Sequence, residues 1–316
     1  MSVVSLKGVP SIGQSLLADQ LETNLTVFYD YTSLKAGNWF DVKIPTSGAY
    51  GGNAHKLRLD EDPSYTKGQV WSAHRMSWVW ESGFSNAGIS PIQISGVYVN
   101  GTFYPNGSTG GYAFKIDYPF GRIIFDSAIA ANSNVQCEFS YKWINWHTAD
   151  AQWYKDLQFN SFRVDDKTYL QYGSGNWAVP PHRRLQMPAV VAEIGGRRSF
   201  KGYELGGGQT VYQDIFFHIF SEDHWARKQL IDVITYQNDK KIYLFNKNTL
   251  NFPLKEDGSL VANPKTYPDY ISETGAGGHL WKGAVLSNMS LVNTFTQPSL
   301  FGATVRATIE VILGEI

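Results

Sequence analysis

Any chemistry in this chain must be built from seven histidines, one cysteine and a few adjacent acids. The histidines are His55, His74, His147, His182, His218, His224 and His279. No two of them have the HxH or HExxH spacing that sets two imidazoles on one metal ion. His218 alternates with Phe217 and Ile219 along a β-forming run, so its ring points to the face opposite theirs. Cys137, flanked by Gln136 and Glu138, has the setting of a packed strand residue rather than of an activated thiol. Neither a GxSxG nucleophile elbow nor a P-loop occurs. The stretch Gly206-Gly207-Gly208-Gln209-Thr210 lacks the P-loop lysine and precedes no helix, which predicts a flexible or interface loop. The pairs Asp165-Asp166 and Glu222-Asp223 suit a turn and a helix start. A glycosidase-type carboxylate pair stays open, because its members need not be neighbours in the chain. The expectation is a protein that is not an enzyme, with no catalytic, cofactor-binding or metal-ligating residues and no cofactor.

The aromatic cluster Trp71, Trp78, Trp80 and Phe84 has three readings: core packing, a subunit interface, or a platform on which a sugar stacks. Aromatics form 15% of the 316 residues, while charged residues form only 17%, against a usual share of about 25%. That balance favours β-rich domains with extensive contact surfaces. The formal net charge of −1 builds no field that gathers nucleic acid or anionic membrane. The basic pairs Arg183-Arg184 and Arg197-Arg198 are too short to change this, unless an oligomer concentrates them on one wall. A single cysteine allows no intrachain disulfide, so stability comes from packing, as suits a reducing cytoplasm. The N-terminal stretch shows no signal-peptide pattern, and no run of apolar residues is long enough to span a bilayer. Sequons at Asn24, Asn100, Asn106 and Asn288 therefore carry no glycosylation meaning.

Three segments follow from periodicity and breakers. Residues 1–65 are expected as an N-terminal helix and extended arm: Ser11 caps a helix over 12–28 with Leu16, Leu17, Leu21 and Leu25 along it, 39–44 alternates as a strand, and 45–53 is a glycine-rich loop. Residues 66–182 are expected as an antiparallel β domain, a sandwich or barrel. Its strongest signal is Asn100-Gly101 between two alternating runs, the pattern of a type I′ hairpin. Further strands are expected at 112–118, 122–125 and 135–143, and one or two helical turns at 153–159. Breakers at 172–176 and Pro180-Pro181 set a boundary near 180.

Residues 183–316 are expected as an α+β domain in which one helix packs on a sheet. Strands at 189–194 and 211–220 precede a helix at 222–236, capped by Ser221 and carrying Ala226, Leu230, Val233 and Ile234 on one face. Strands at 241–246, 284–292 and 303–313 follow. The fold class is α+β and β-rich.

Several stretches carry a resemblance. They run from Trp80 to Gly83, from Ile92 to Pro105 and from Ile116 to Asp126, then from Arg184 to Glu193, Tyr212 to Ile219 and Ala303 to Glu310. Together they resemble virion structural proteins of tailed bacteriophages, especially viruses of cyanobacterial and marine hosts, over most of the chain from about residue 20. That family offers no catalytic motif to carry over. The C-terminal order of strands and helix is similar to the small domain of tail-terminator and head–tail connector proteins. This chain is longer, with an extra β domain in front.

The resemblance implies a structural subunit of the virion, assembled in the host cytoplasm. It would form a homo-oligomeric ring at the neck and contact portal-adaptor, neck or tail proteins, with DNA met only through the ring lumen and no membrane partner. The alternative is a tail or baseplate protein with a carbohydrate- or receptor-binding role. In the ring reading the loops 45–53 and 203–210 touch neighbours.

Overall fold

The computed structural model describes residues 17–45, 53–151, 153–154, 185–202, 209–248, 251–274, 281–297 and 300–313. The fold is α+β and β-rich, with curled antiparallel sheet in the first part and a mixed sheet in the second. The expected Ser11 cap, most of the loops 45–53 and 203–210, and the breakers of 172–181 lie outside the described residues.

Helix α1 (Leu17–Lys35) runs past the expected end at 28. Its second half, with Thr26, Val27, Phe28, Tyr29 and Thr32, is poor in strong helix formers, and burial of Phe28, Tyr29 and Leu34 overrides that preference. Gly37, at φ 88°, ends it. Asn38 N donates to Ser33 O and Gly37 N to Leu34 O, the paired bonds of a Schellman cap. This helix does not stand apart as an arm. Leu17, Leu21, Leu25 and Phe28 lie in the same apolar cluster as the C-terminal sheet, whose buried face covers their stripe.

The remaining N-terminal strands pair with strands of the middle segment, one in a two-stranded sheet of its own and the other in a larger one. Strand β1 (Trp39–Val42) pairs antiparallel with β9 (Phe139–Lys142). Strand β2 (Lys56–Leu59) sits centrally in a seven-stranded sheet with β3 (Val70–Ser72), β4 (Gly96–Val99), β5 (Thr102–Pro105), β6 (Phe114–Asp117), β7 (Arg122–Phe125) and β8 (Val135–Cys137). The order is β5-β4-β8-β2-β3-β7-β6. It wraps a core that includes Trp71, Trp78, Val97, Phe125, Cys137 and Phe139. The β4–β5 hairpin turns at Asn100 and Gly101, at φ 51° and 84°, as the sequence predicts. The expected strand 135–143 is two, since the chain changes sheets at Glu138.

The second sheet has six strands in the order β10-β11-β12-β15-β14-β13. Strand β10 (Asn145–Thr148) runs parallel to β11 (Ala189–Gly202). Beyond these are β12 (Gln209–Ser221), β13 (Lys241–Tyr243), β14 (Trp281–Gln297) and β15 (Leu300–Leu313). Most are longer than their apolar runs suggest, because ladder pairing continues through polar and glycine positions. The exception is β13, which stops at Tyr243 rather than 246.

Two helices rather than one cover this sheet. The second, α2 (His224–Thr235), packs Leu230 and Ile234 into the cluster that holds Val211, Ile215, Phe217, Val305 and Ile309. Its cap is Asp223, whose side chain accepts from Trp225 N, and not Ser221, whose hydroxyl instead braces the turn through Asp223 N and O. Val233 lies outside the buried face, which holds Ala226, Leu230 and Ile234 as expected and takes Arg227 in its place. A third helix, α3 (Tyr267–Thr274), presses Tyr267 and Tyr270 onto Phe245.

Candidate functional site

Where the two sheets meet, α1, the end of β9, the start of β10 and the segment before α3 enclose a cleft of about 330 Å³. Three of its charged residues form one cluster. The ammonium of Lys142, on β9, donates to Asp30 Oδ2 of α1 at 2.6 Å and to Glu81 Oε1 at 2.7 Å. Burial alone lowers the Lys142 pKa, but Asp30 and Glu81 more than offset this and hold it above the ordinary lysine value. Burial raises the Glu81 carboxyl, with Lys142 opposing and Asp30 adding to the rise. The buried charges of Lys142 and Glu81 thus satisfy each other, with the partly exposed Asp30 as a second partner of the ammonium.

Aromatic side chains form much of the wall: Tyr31 from α1, Trp80 and Tyr118 from the middle sheet region, and Phe252, Tyr267 and Tyr270 from the C-terminal part. Of the aromatic cluster singled out in the sequence, Trp71, Trp78 and Phe84 are buried core residues. The indole N–H groups of Trp71 and Trp78 are spent on Gly68 O and Arg75 O, both at 3.0 Å. Of the four, Trp78 and Trp80 border the cleft, Trp78 as a buried residue and Trp80 as a partly buried one.

On β10, Asn145 and His147 also line the cleft. Asn145 Nδ2 donates to the carbonyls of Trp143, Gln186 and Pro188. Its Oδ1, and His147 Nε2, are buried without a hydrogen-bond partner among the described residues. Burial lowers the His147 pKa to about 4, against a small opposing pull from Asp30, so the ring is neutral near pH 7.

A second polar group lies on the far face of the six-stranded sheet. His218 Nε2 is 3.0 Å from Glu193 Oε2, and His218 Nδ1 is 3.2 Å from Thr304 Oγ1. Tyr154 OH donates to the same Glu193 oxygen at 2.6 Å. The order of hydroxyl, imidazole and carboxylate matches a nucleophile with its base and orienter. Yet the three stand on adjacent strands β15, β12 and β11, where neighbouring backbone N–H groups are spent in the ladder. Burial also lowers the His218 pKa, with Glu193 opposing, which weakens it as a base.

Elsewhere the structure places the remaining sequence candidates apart from both groups. Cys137 is fully buried and burial pushes its thiol pKa up, away from reactivity. His55 is buried beside Gln136, whereas His74 is exposed. His182, His279, Asp165, Asp166 and residues 206–208 lie outside the described residues. Among the described residues no group of three His, Cys, Asp or Glu side chains is placed to hold a metal ion, and no helix is long and apolar enough to cross a membrane. In the quoted stretch 116–126, Asp117 Oδ2 accepts from Arg122 Nε at 2.6 Å, and Arg122 also donates to Asp62, so those residues lock a buried hairpin.

Sequence reasoning missed the Lys142 cluster. Asp30, Glu81 and Lys142 are isolated charges far apart in the chain, and only the aromatic residues near two of them gave any signal. Compared with protein-family models and with curated proteins, the chain matches none.

Proposed function

We propose that this chain is a structural subunit of a tailed-bacteriophage particle that joins copies of itself into a closed ring, placed at the head–tail junction. The sequence resemblance supplies the particle, and one structural observation supports the ring. The six-stranded sheet has an open edge at each side, and the two openings lie at opposite ends. On one side β10 covers only residues 189–192 of β11, and 196–202 beyond it are exposed. On the other, β13 covers only 283–285 of β14, and 290–294 are exposed. Both stretches lack a further strand partner among the described residues.

Open edges of this length are templates for strand addition, and a protein that stays monomeric blunts them. Here they carry Phe200 on one side and Leu291 and Val292 on the other, all more than two-fifths exposed. Three successive antiparallel pairings separate β11 from β14, so the two strands run in opposite directions. Placing β14 of one copy beside β11 of the next therefore continues the antiparallel alternation. Because the openings sit at opposite ends, each copy is displaced along the strands relative to its neighbour. That contact is head-to-tail, the type that closes into rings when its rotation permits. Staggered strands then tilt relative to the ring axis.

Negative-stain images and mass photometry of the full-length protein should show closed rings of a single diameter. A protein that stays monomeric at the concentrations of an infected cell, with joined particles assembling in its absence, overturns the reading.

A further inference from the structure

The two open edges of the six-stranded sheet are built differently. On β11 the exposed stretch 196–202 carries Arg197, Arg198 and Lys201 and no acid. None of these cations has an ion-pair partner among the described residues. The acids of β12 and β15 behind it are engaged: Asp214 accepts from Arg306 at 2.6 Å, and Glu310 from Tyr212 OH at 3.3 Å. From Arg198 to Gly202 the strand is regular, each residue paired in turn with β12 from Gln213 to Gln209.

The exposed stretch of β14 carries no charge anywhere between Ser287 and Gln297. It is instead irregular. Ser287 pairs with Thr308 and Ser290 with Arg306, so two residues of β14 face one of β15. Asn288, left-handed at φ 51°, is the surplus residue there, since Met289 packs against the core. Leu291 then pairs with Val305 and Asn293 with Thr304, which leaves Val292 over. These are two one-residue bulges, a feature that bends a strand and turns its edge away from partners.

Two copies have three antiparallel ways to meet at these edges. Pairing β11 with β11, or β14 with β14, is a twofold contact that closes as a dimer, whereas β14 on β11 is head-to-tail. By the pleat, Arg197 and Lys201 share the face of Ser199, and Arg198 lies on the other. A twofold contact centred on Ser199, the middle of the open stretch, sets Arg197 of each copy opposite Lys201 of the other. Like charges directly opposite destabilise a strand pair. A twofold contact of β14 centred on Val292 sets bulge against bulge, and beyond it the Phe295 carbonyl is already taken by Arg227. In the mixed contact the cations face an uncharged strand, and the bulges face the regular run 198–202. Each edge is thus guarded against its own kind and not against the other edge.

We propose that Arg197 and Lys201 are specificity residues of assembly: their charges keep β11 from pairing with β11 of a second copy and leave the uncharged β14 edge as its partner. The inference rests on the ring reading for the use of these edges, and it adds why the contact is head-to-tail rather than twofold.

The test is a charge swap in the full-length protein, read by native mass spectrometry and sedimentation. Lys201→Glu turns both repulsive pairs of the twofold β11 contact into attractive ones, while β14 has no charge to respond. It should raise the ratio of dimer to ring at least about tenfold over the wild type. Arg197→Glu should do the same. The double variant, Arg197→Glu with Lys201→Glu, should return to the wild-type distribution, because acid then opposes acid; a purely structural role gives no such return. Lys228→Glu, the same charge change at an exposed position on α2, should alter nothing. Thermal unfolding of each variant confirms that folded proteins are compared. Rings alone from both single variants, or dimers that persist in the double variant, overturn the inference and leave the ring reading standing. A wild type that stays monomeric while Lys201→Glu dimerises overturns the ring reading and leaves the charge guard standing. Monomers throughout overturn both.

Discussion

The side chain of Asn24 and the backbone of Phe245 exchange two hydrogen bonds across 221 residues of chain: Asn24 Nδ2 donates to Phe245 O at 2.9 Å, and Phe245 N donates to Asn24 Oδ1 at 2.7 Å. The amide thus acts as a strand partner for a segment that has left the ladder after β13. One helical turn earlier, Gln20 Oε1 accepts from Lys247 N. These contacts dock α1 onto the C-terminal part with polar specificity, while Leu21 and Leu25 supply the apolar area. Asn24→Ala strands a buried N–H and a buried carbonyl, each costing about 1–3 kcal/mol, so a loss of about 2–5 kcal/mol is expected in urea unfolding. Asn24→Asp, which keeps the acceptor and loses the donor, should fall in between or below if the new carboxylate is left charged.

The hairpin at Asn100 and Gly101 gives a cleaner case of backbone cost. A Cβ on Gly101 meets no atom within 4 Å, so space does not oppose substitution, but φ of 84° does. Gly101→Val should therefore cost about 1–3 kcal/mol through backbone strain alone. Asn100 tolerates its own positive φ and is further held by Asn134, whose N–H donates to Asn100 Oδ1 at 2.8 Å. Denaturant midpoints for Gly101→Val and Gly101→Asn should rank the β-branched variant as clearly worse, and equal midpoints count against a strained turn.

On α2 the two faces separate cleanly. Leu230 is fully buried against the sheet, while its neighbour Gln229 is exposed. Leu230→Ala should cost about 2–5 kcal/mol, as buried leucines do, and Gln229→Ala less than about 0.5 kcal/mol. Comparable losses at the two positions mean that the helix does not sit on the sheet as described.

Elements with a local signature were legible in the sequence. The type I′ turn needs two residues and declares itself by Asn-Gly, and α2 shows an apolar stripe after an acidic start. What failed was set by distant chain. The sequence offers Ser221 as a cap because serine precedes acids there, yet the ladder of β12 carries Ser221 as its last residue, and the cap passes to Asp223. Helix α1 was expected to lie in an arm because the glycine-rich connection that follows it makes a poor core element. Its cover comes from strands beginning at Ala189. The same holds for the cleft: Asp30, Glu81 and Lys142 carry no mutual spacing, so only the fold brings them to 2.6 and 2.7 Å. The Trp78 and Trp80 pair was legible as apolar and aromatic, but not that both border a cleft while only Trp78 is fully buried.

His147 should make stability depend on pH in a definite window. Burial takes its pKa from 6.5 to about 4 in the folded chain. Between those values the unfolded chain binds a proton that the folded chain does not. Stability is therefore complete above pH 6.5 and is lost as pH falls toward 4, by on the order of 3 kcal/mol in the limit. Carboxylates titrate in the same range, so the informative quantity is the difference between the wild-type protein and His147→Phe. The variant should show a shallower fall from neutral pH to about pH 4, and parallel curves mean that His147 is not kept neutral by burial.

The edge of β14 is where assembly and folding should come apart. Val292 is 54% exposed and lies where the β14–β15 register slips between Leu291 and Asn293, so it has no cross-strand partner on β15. Val292→Lys puts a charge on an open edge, the device by which natural sheets discourage added strands. Its cost to the isolated fold should stay within about 0.5 kcal/mol, as for other surface substitutions. If copies join through this edge, the variant should fold normally, sediment as a monomer and leave heads and tails unjoined in infected cells. Phe200→Lys, on the opposite edge, should give the same phenotype, because a head-to-tail contact fails when either surface is spoiled. Mixing the two variants supplies one intact β14 edge and one intact β11 edge, which can meet once. A dimer that grows no further is then the expected product. Normal rings from either single variant, or particles that join normally but fail to adsorb to cells, would place the assembly surface elsewhere and favour a receptor-binding role.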